Sequence, residues 1–238
     1  HLLELFSKEM SEKELLENDM PNELTNVYAA LKKIHIHSDK YYDYTQRYNK
    51  HVAYTLALNM AEDLLSDFTK KLGEYYTSRN ESLLPIFPML KKEIGNLSNL
   101  YKSHHIKVYQ NFIDISIALF LPASEAIKED NPVEDILDEA ESILSRYPKD
   151  SGYQFLRTTL NFLFFEYYHK YKLFKKEMQY FELLKTQFPV FFYHNHTCFC
   201  SKFLVSKIET YLEQGNVEFL YGENSGIFEK YNPEKTDI

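Results

Sequence analysis

Four residues with metal-binding side chains alternate in His194-Asn195-His196-Thr197-Cys198-Phe199-Cys200. Imidazole nitrogen and thiolate sulfur are ligands that suit zinc. On a strand all four would face one side. On a helix, His194 pairs with Cys198 and His196 with Cys200 at i, i+4, and the two pairs lie roughly 160–200° apart. The surrounding periodicity is helical, so one helix cannot close a four-ligand site from them. No second His/Cys cluster nearby completes it. The simpler expectation is two buried cysteines in a core helix with two histidines near its start. A metal held by His194, His196, Cys198 and Cys200 stays as an alternative, a helical metalloprotein. Otherwise no cofactor is expected.

Glu166-x-x-His169 has the spacing of half a carboxylate-bridged di-iron site, but the chain holds no second Glu-x-x-His. A polar strip on an exposed or concave face is the plainer reading. The pairs His35/His37 and His104/His105 fall near predicted helix ends, where histidine helps satisfy free carbonyls. Arg47 and His51 invite comparison with the Arg-to-His motif of HEPN-type helical ribonucleases. Their spacing is one residue too short, and in a second candidate Pro85 stands where histidine is needed after Arg79-Asn80. No Gly-rich phosphate loop, Gly-x-Ser-x-Gly or His-Glu-x-x-His is present. Gly222-x-x-x-Gly226 lacks the Lys-Ser/Thr end of a phosphate loop. The tyrosine groups Tyr41-Tyr42-Tyr44, Tyr75-Tyr76 and Tyr167-Tyr168-Tyr171 offer contact area with a polar tip. They read first as core-edge residues between helices.

Helical spacing dominates the elements that must carry these residues. The first stretch is 2–17, broken by Met20-Pro21-Asn22, with Pro21 or Asn22 opening a second helix over 23–37. Ser38-Asp39 suits the N-cap of a long segment, 40–77. Its apolar stripe is read as Tyr41, Tyr44, Tyr48, Val52, Leu56, Met60, Leu64, Phe68 and Leu72, with a bend or break expected within it. Residues 86–102 and 106–121 follow, the latter apolar on more than one face and so a buried helix. The polar stretch Ala123–Asn131 is the expected boundary between an N-terminal helical bundle or irregular array, 1–122, and a second region, 132–238.

Composition sets the outer limits. The chain has 238 residues, 44% apolar and 26% charged, enough for a sizeable core and not disordered. Six glycines and eight prolines argue against a turn-rich all-β protein. A formal charge of −8 repels a phosphate backbone, and the longest basic stretch, Lys170–Lys176, is flanked by Glu166 and Glu177. No direct nucleic-acid binding by this chain is expected. Only four of the basic residues are arginine, which weakens that reading further. Two cysteines two residues apart form no disulfide framework, which fits a reducing, cytoplasmic setting. No apolar run is long enough for a membrane span. The first residue is His1, so a processed chain or a fragment lacking an upstream domain is expected.

In the second region Arg146-Tyr147-Pro148, Gln187-Phe188-Pro189 and Tyr231-Asn232-Pro233 recur 41 and 44 residues apart. Each unit reads as two helices closed by a proline. Helices are read over Val133–Tyr147, Ser151–Lys170, Leu173–Phe188, Phe191–Gln214 with Gly215 as cap, and Val217–Tyr231. Residues 158–189 resemble the tetratricopeptide hairpin, with Tyr168, Phe181 and Pro189 at the motif's tyrosine, aromatic and proline. Phe165, Glu177 and Leu184 stand where the motif wants small residues, and Asn161 takes the tryptophan-like position. The fold expected is all-α, helical hairpins stacked as a tetratricopeptide-like right-handed superhelix or an irregular α-α solenoid. The resemblance implies a non-catalytic module that binds a peptide or protein partner on a concave face of first helices. There it would place Thr159, Phe162, Glu166, His169, Lys170, Phe203, Ser206 and Thr210. A further alternative is the effector domain of a peptide-sensing transcription regulator whose DNA-binding segment is absent from this chain. Aromatic-rich terminal helices are also compatible with a homodimer.

Overall fold

A computed structural model describes residues 12–122, 132–193, 197–213 and 215; for 188–193, 197–201 and 213 it describes the backbone alone. Among the described residues every regular element is a helix. None of these helices is long and apolar enough to cross a membrane. The chain divides into two compact units, His1–Tyr147 and Pro148–Ile238. This division follows the helix after the polar stretch Ala123–Asn131, because that helix packs on its predecessor in the first unit. The stretch itself, with the predicted Val217–Tyr231 helix and Gly222-x-x-x-Gly226, lies outside the described residues.

The first unit begins with the short α1 (Glu12–Glu17) and α2 (Pro21–Ile34). Pro21 opens α2 because its fixed φ suits a first turn and its missing N–H is not needed there. Leu24, Val27 and Tyr28 turn inward, and α2 packs chiefly on α3 (Lys40–Ser78). No break interrupts the 39 residues of α3, which hold no proline and only Gly73 near the end. It stops at Arg79, in the left-handed region at φ 54°, with its N–H on the Tyr75 carbonyl.

The buried face of α3 is not the expected stripe. It runs through His51, Tyr54, Ala57, Ala61, Phe68, Leu72 and Tyr75, while Leu56 and Met60 are exposed. Each step of four residues overshoots one 3.6-residue turn by roughly 40°. A run of repeated fours, such as Tyr44 to Leu72, therefore spirals around the helix rather than marking one face. Only Phe68 and Leu72 of that stripe are fully buried.

After a 3-10 turn, Glu81–Leu83, come α4 (Ile86–Leu100) and α5 (His104–Phe120). Phe87, Leu90 and Ile94 of α4 are buried. Helix α5 is buried nearly all round, as its sequence predicts, and packs against α3, α4 and α6 (Val133–Arg146).

The second unit contains α7 (Tyr153–Lys170), α8 (Phe174–Tyr193) and α9 (Thr197–Glu213). A three-residue turn joins α7 to α8. Lys172 sits there at φ 56°, with its N–H on the His169 carbonyl and the Leu173 N–H on that of Tyr168. This is the Schellman closure that usually takes glycine. Phe165, Phe181 and Phe203, one from each helix, meet with ring centroids 5.5–6.2 Å apart. Phe165, Glu177 and Leu184 are all buried.

Pro189 does not stop α8, which continues to Tyr193. A proline inside a helix deletes one donor and crowds the carbonyl four residues back, at about 3 kcal/mol. Fully buried Phe181 and Leu184 hold the turns before it. Accordingly α9 starts at Thr197, later than the predicted Phe191. Gly215 lies in the left-handed region at φ 71°, as expected of a helix cap.

Candidate functional site

The densest polar centre of the first unit forms where the α1–α2 turn meets the start of α5. Asp19 occupies that turn at φ 50°, a conformation a short polar side chain tolerates. Its carboxylate is buried and faces the α5 N-terminus, where free N–H groups and the helix dipole favour negative charge. Oδ2 accepts from Ser103 Oγ at 2.7 Å and from the His105 backbone N–H at 2.9 Å. His105 Nδ1 lies 3.2 Å and His104 Nε2 3.5 Å from the same oxygen. Tyr54 donates its hydroxyl to Oδ1 and stacks on Tyr101, ring centroids 5.5 Å apart. His104 stacks face-on against Tyr147 at 3.8 Å.

Burial pushes the Asp19 carboxyl up, but the His105 and Tyr54 hydrogen bonds and the His104 charge outweigh it, leaving the pKa below its usual value. The Tyr54 hydroxyl is pushed up, first by burial and then by its bond to Asp19. Ser103, Asp19 and the histidines do not form a nucleophilic triad. Ser103 Oγ bonds the carboxylate and accepts the Ile106 N–H, so no imidazole stands between serine and acid.

The same unit holds a second centre on α1, α2 and α3. Glu12 Oε2 accepts from Tyr28 Oη at 2.7 Å and Arg47 Nη1 at 2.9 Å, and Oε1 lies 3.4 Å from His51 Nε2. The His51 ring is buried and stacks on Tyr28 at 5.3 Å. Burial lowers the His51 pKa against the pull of Glu12. Arg47 and His51 thus converge on one carboxylate, one turn apart on α3.

The eight residues predicted to line a concave face are brought together, but inside the second unit. Thr159, Phe162, Glu166, His169, Phe203, Ser206 and Thr210 are buried, and only Lys170 is exposed. Glu166, His169 and Thr210 pair across helices rather than facing solvent. Glu166 bonds Lys202 at 3.2 Å, and Lys202 donates to Ser206 Oγ at 2.8 Å. His169 Nδ1 lies 3.0 Å from Glu177 Oε1 and its Nε2 3.3 Å from Glu209 Oε2. Thr210 donates to Glu177 at 2.9 Å. Burial raises the Glu166 pKa above its ordinary value despite Lys202 and Ser206.

Three donors converge closely enough for one metal ion among the described residues, and they are Asp19, His104 and His105. Sequence reading placed His104 and His105 at a helix end with free carbonyls. They instead open α5, where the free groups are N–H donors. Asp19 was missed altogether; its signal was an aspartate in a tight turn two residues before a helix-opening proline. Of the His/Cys cluster, His194 and His196 lie outside the described residues, and Cys198 and Cys200 are described in backbone alone, on α9. The chain matches no protein-family model, no curated protein and no solved structure.

Proposed function

We propose that this chain is a non-catalytic helical module that binds a protein or peptide partner, and that the partner presents an acidic segment carrying apolar side chains. What carries the reading is the tip of the α7–α8 hairpin. Seven consecutive residues, Lys170–Lys176, are all exposed there. Among them Tyr171, Leu173 and Phe174 are 54%, 44% and 56% exposed. Apolar side chains cost free energy in water at about 25 cal/mol per Å² of exposed apolar surface. Four lysines around three such side chains, on a chain of net charge −8, make a local positive and apolar spot. Acidic segments are attracted to it over distance and lose water from its aromatic surface on contact. A divergent tetratricopeptide-like stack, carried by Tyr168, Phe181 and the α7–turn–α8 hairpin, is the arrangement that fits this role.

The test is binding of fluorescent acidic peptides, rich in Glu and containing Leu or Phe, to the tag-free full chain. We expect binding that weakens about tenfold, equivalent to about 1.4 kcal/mol, in K172E/K175E and again in L173S/F174S. Circular dichroism checks that both variants keep their helices. Peptide binding indifferent to both double variants, or none at all, overturns the reading.

A further inference from the structure

We propose that Asp19, His104 and His105 form a binding site for a divalent transition-metal ion of the zinc type. The argument is geometric. Asp19 Oδ2 lies 3.2 Å from His105 Nδ1 and 3.5 Å from His104 Nε2, and the three donors are all within 4.8 Å of one another. Zinc bonds to nitrogen and oxygen of roughly 2.0–2.2 Å set tetrahedral ligands about 3.3–3.6 Å apart. The 3.5 Å separation has that length, the 3.2 Å one falls short of it by about 0.1 Å, and the third is no more than 4.8 Å.

Capping α5 does not account for this convergence. The His105 N–H and Ser103 Oγ already satisfy the cap on Oδ2. Two imidazole nitrogens aimed at the same buried oxygen are additional to it. An ion bound between them replaces ring protons and neutralises the carboxylate, so binding releases protons.

The carboxylate is also held the way metal-bound carboxylates are held, by hydrogen bonds from outside the site. Tyr54 takes Oδ1, and Ser103 approaches Oδ2. The Tyr147 ring fixes the plane of His104. His104 and His105 are only partly buried, with side chains 10% and 17% exposed, against 0% for Asp19. The site is therefore reachable from its histidine side, and three protein ligands leave a fourth position for water.

The test uses the tag-free full chain stripped with chelator. Zinc is titrated calorimetrically and cobalt spectroscopically, in the parent chain, in H104Q/H105Q and in H194Q/H196Q/C198S/C200S. Asp19→Asn is avoided as the primary variant because Asp19 also caps α5. We expect one equivalent of metal, a cobalt spectrum without a sulfur charge-transfer band, and retention in the quadruple variant. Loss of at least about 100-fold in affinity is expected for H104Q/H105Q, and about tenfold for Tyr54→Phe through the outer hydrogen bond. Thermal melts in chelator confirm that each variant folds. No binding by the parent chain overturns the proposal. So does binding that survives H104Q/H105Q, or that disappears in the quadruple variant with a sulfur band in the parent spectrum.

Discussion

Each unit pairs carboxylates with histidine, but the Asp19 centre of the first and the His169 centre of the second are arranged differently. In the first, Asp19 comes from a turn and His104 and His105 from a helix start, so two imidazoles aim at one carboxylate oxygen. In the second, Glu166, His169, Glu177 and Glu209 all lie on helices, His169 in the last turn of α7 and Glu177 in the first of α8, and the His169 nitrogens point to two different carboxylates. Chain ends of helices free backbone groups and allow side chains to converge on a point. In the second unit the side chains leave three different helices at fixed angles and link them through shared partners, Glu177 serving both His169 and Thr210. The first geometry can take up an ion; the second locks helices together.

The largest effect should come from breaking the second network at its most buried member. Glu177 is 1% exposed and serves both His169 and Thr210. Glu177→Ala should destabilise its unit by about 3 kcal/mol, because it removes a buried bridge between two helices and leaves His169 Nδ1 without its carboxylate. Asp19→Ala, measured in chelator, should cost its unit about 2 kcal/mol through the lost cap and the stranded Tyr54 and Ser103 hydroxyls. Hydrogen exchange resolved by unit checks both. If Asp19→Ala costs more than Glu177→Ala, the metal-free Asp19 centre is the stronger structural lock, and the contrast reverses.

How legible the two regions were follows from the same geometry. Signals local in sequence read well: Pro21 opening α2, Gly215 after α9, and the all-round apolar run of α5. Packing over distance did not. Nothing local tells that Asp19 meets residues more than 80 positions away. Glu166 and His169 read as one polar turn on an accessible face, because polarity suggests solvent and the repeat resemblance implies the concave side. Their partners, Lys202 and Glu177, belong to other helices, and that pairing is what makes their burial tolerable. The α3 stripe failed for another reason, since repeated steps of four drift away from one face. Pro189 stands inside α8 rather than at its end, after turns held by buried Phe181 and Leu184.

The two centres should also respond to pH with opposite sign. The folded Asp19 pKa lies below its unfolded value. Its stabilisation is therefore complete above the ordinary aspartate range, about 3.9, and is lost as pH falls through the folded pKa. The folded Glu166 pKa lies above its unfolded value. Its protonated form favours folding below the ordinary glutamate range, about 4.3, and that contribution is lost as pH rises through the folded pKa. Denaturation in chelator between roughly pH 3 and 7 tests this. D19N should flatten the acid-side loss of stability in the first unit. E166Q should remove the decline on rising pH in the second. Slopes of the same sign in both units would show that the centres are not electrostatic opposites.

The smallest effect tests burial at a single ring. His169 lies 3.0 Å from Glu177 and 3.3 Å from Glu209, nearly equal distances. The Glu209 side chain is 51% exposed and that of Glu177 only 1%. Water screens the outer pair and solvates Glu209 without the histidine. Glu209→Gln should therefore cost no more than about 0.5 kcal/mol. If it approaches the cost of Glu177→Ala, the imidazole is charged and needs both carboxylates, and the second network is a three-centre ion cluster rather than a buried hydrogen bond with a solvated outer partner.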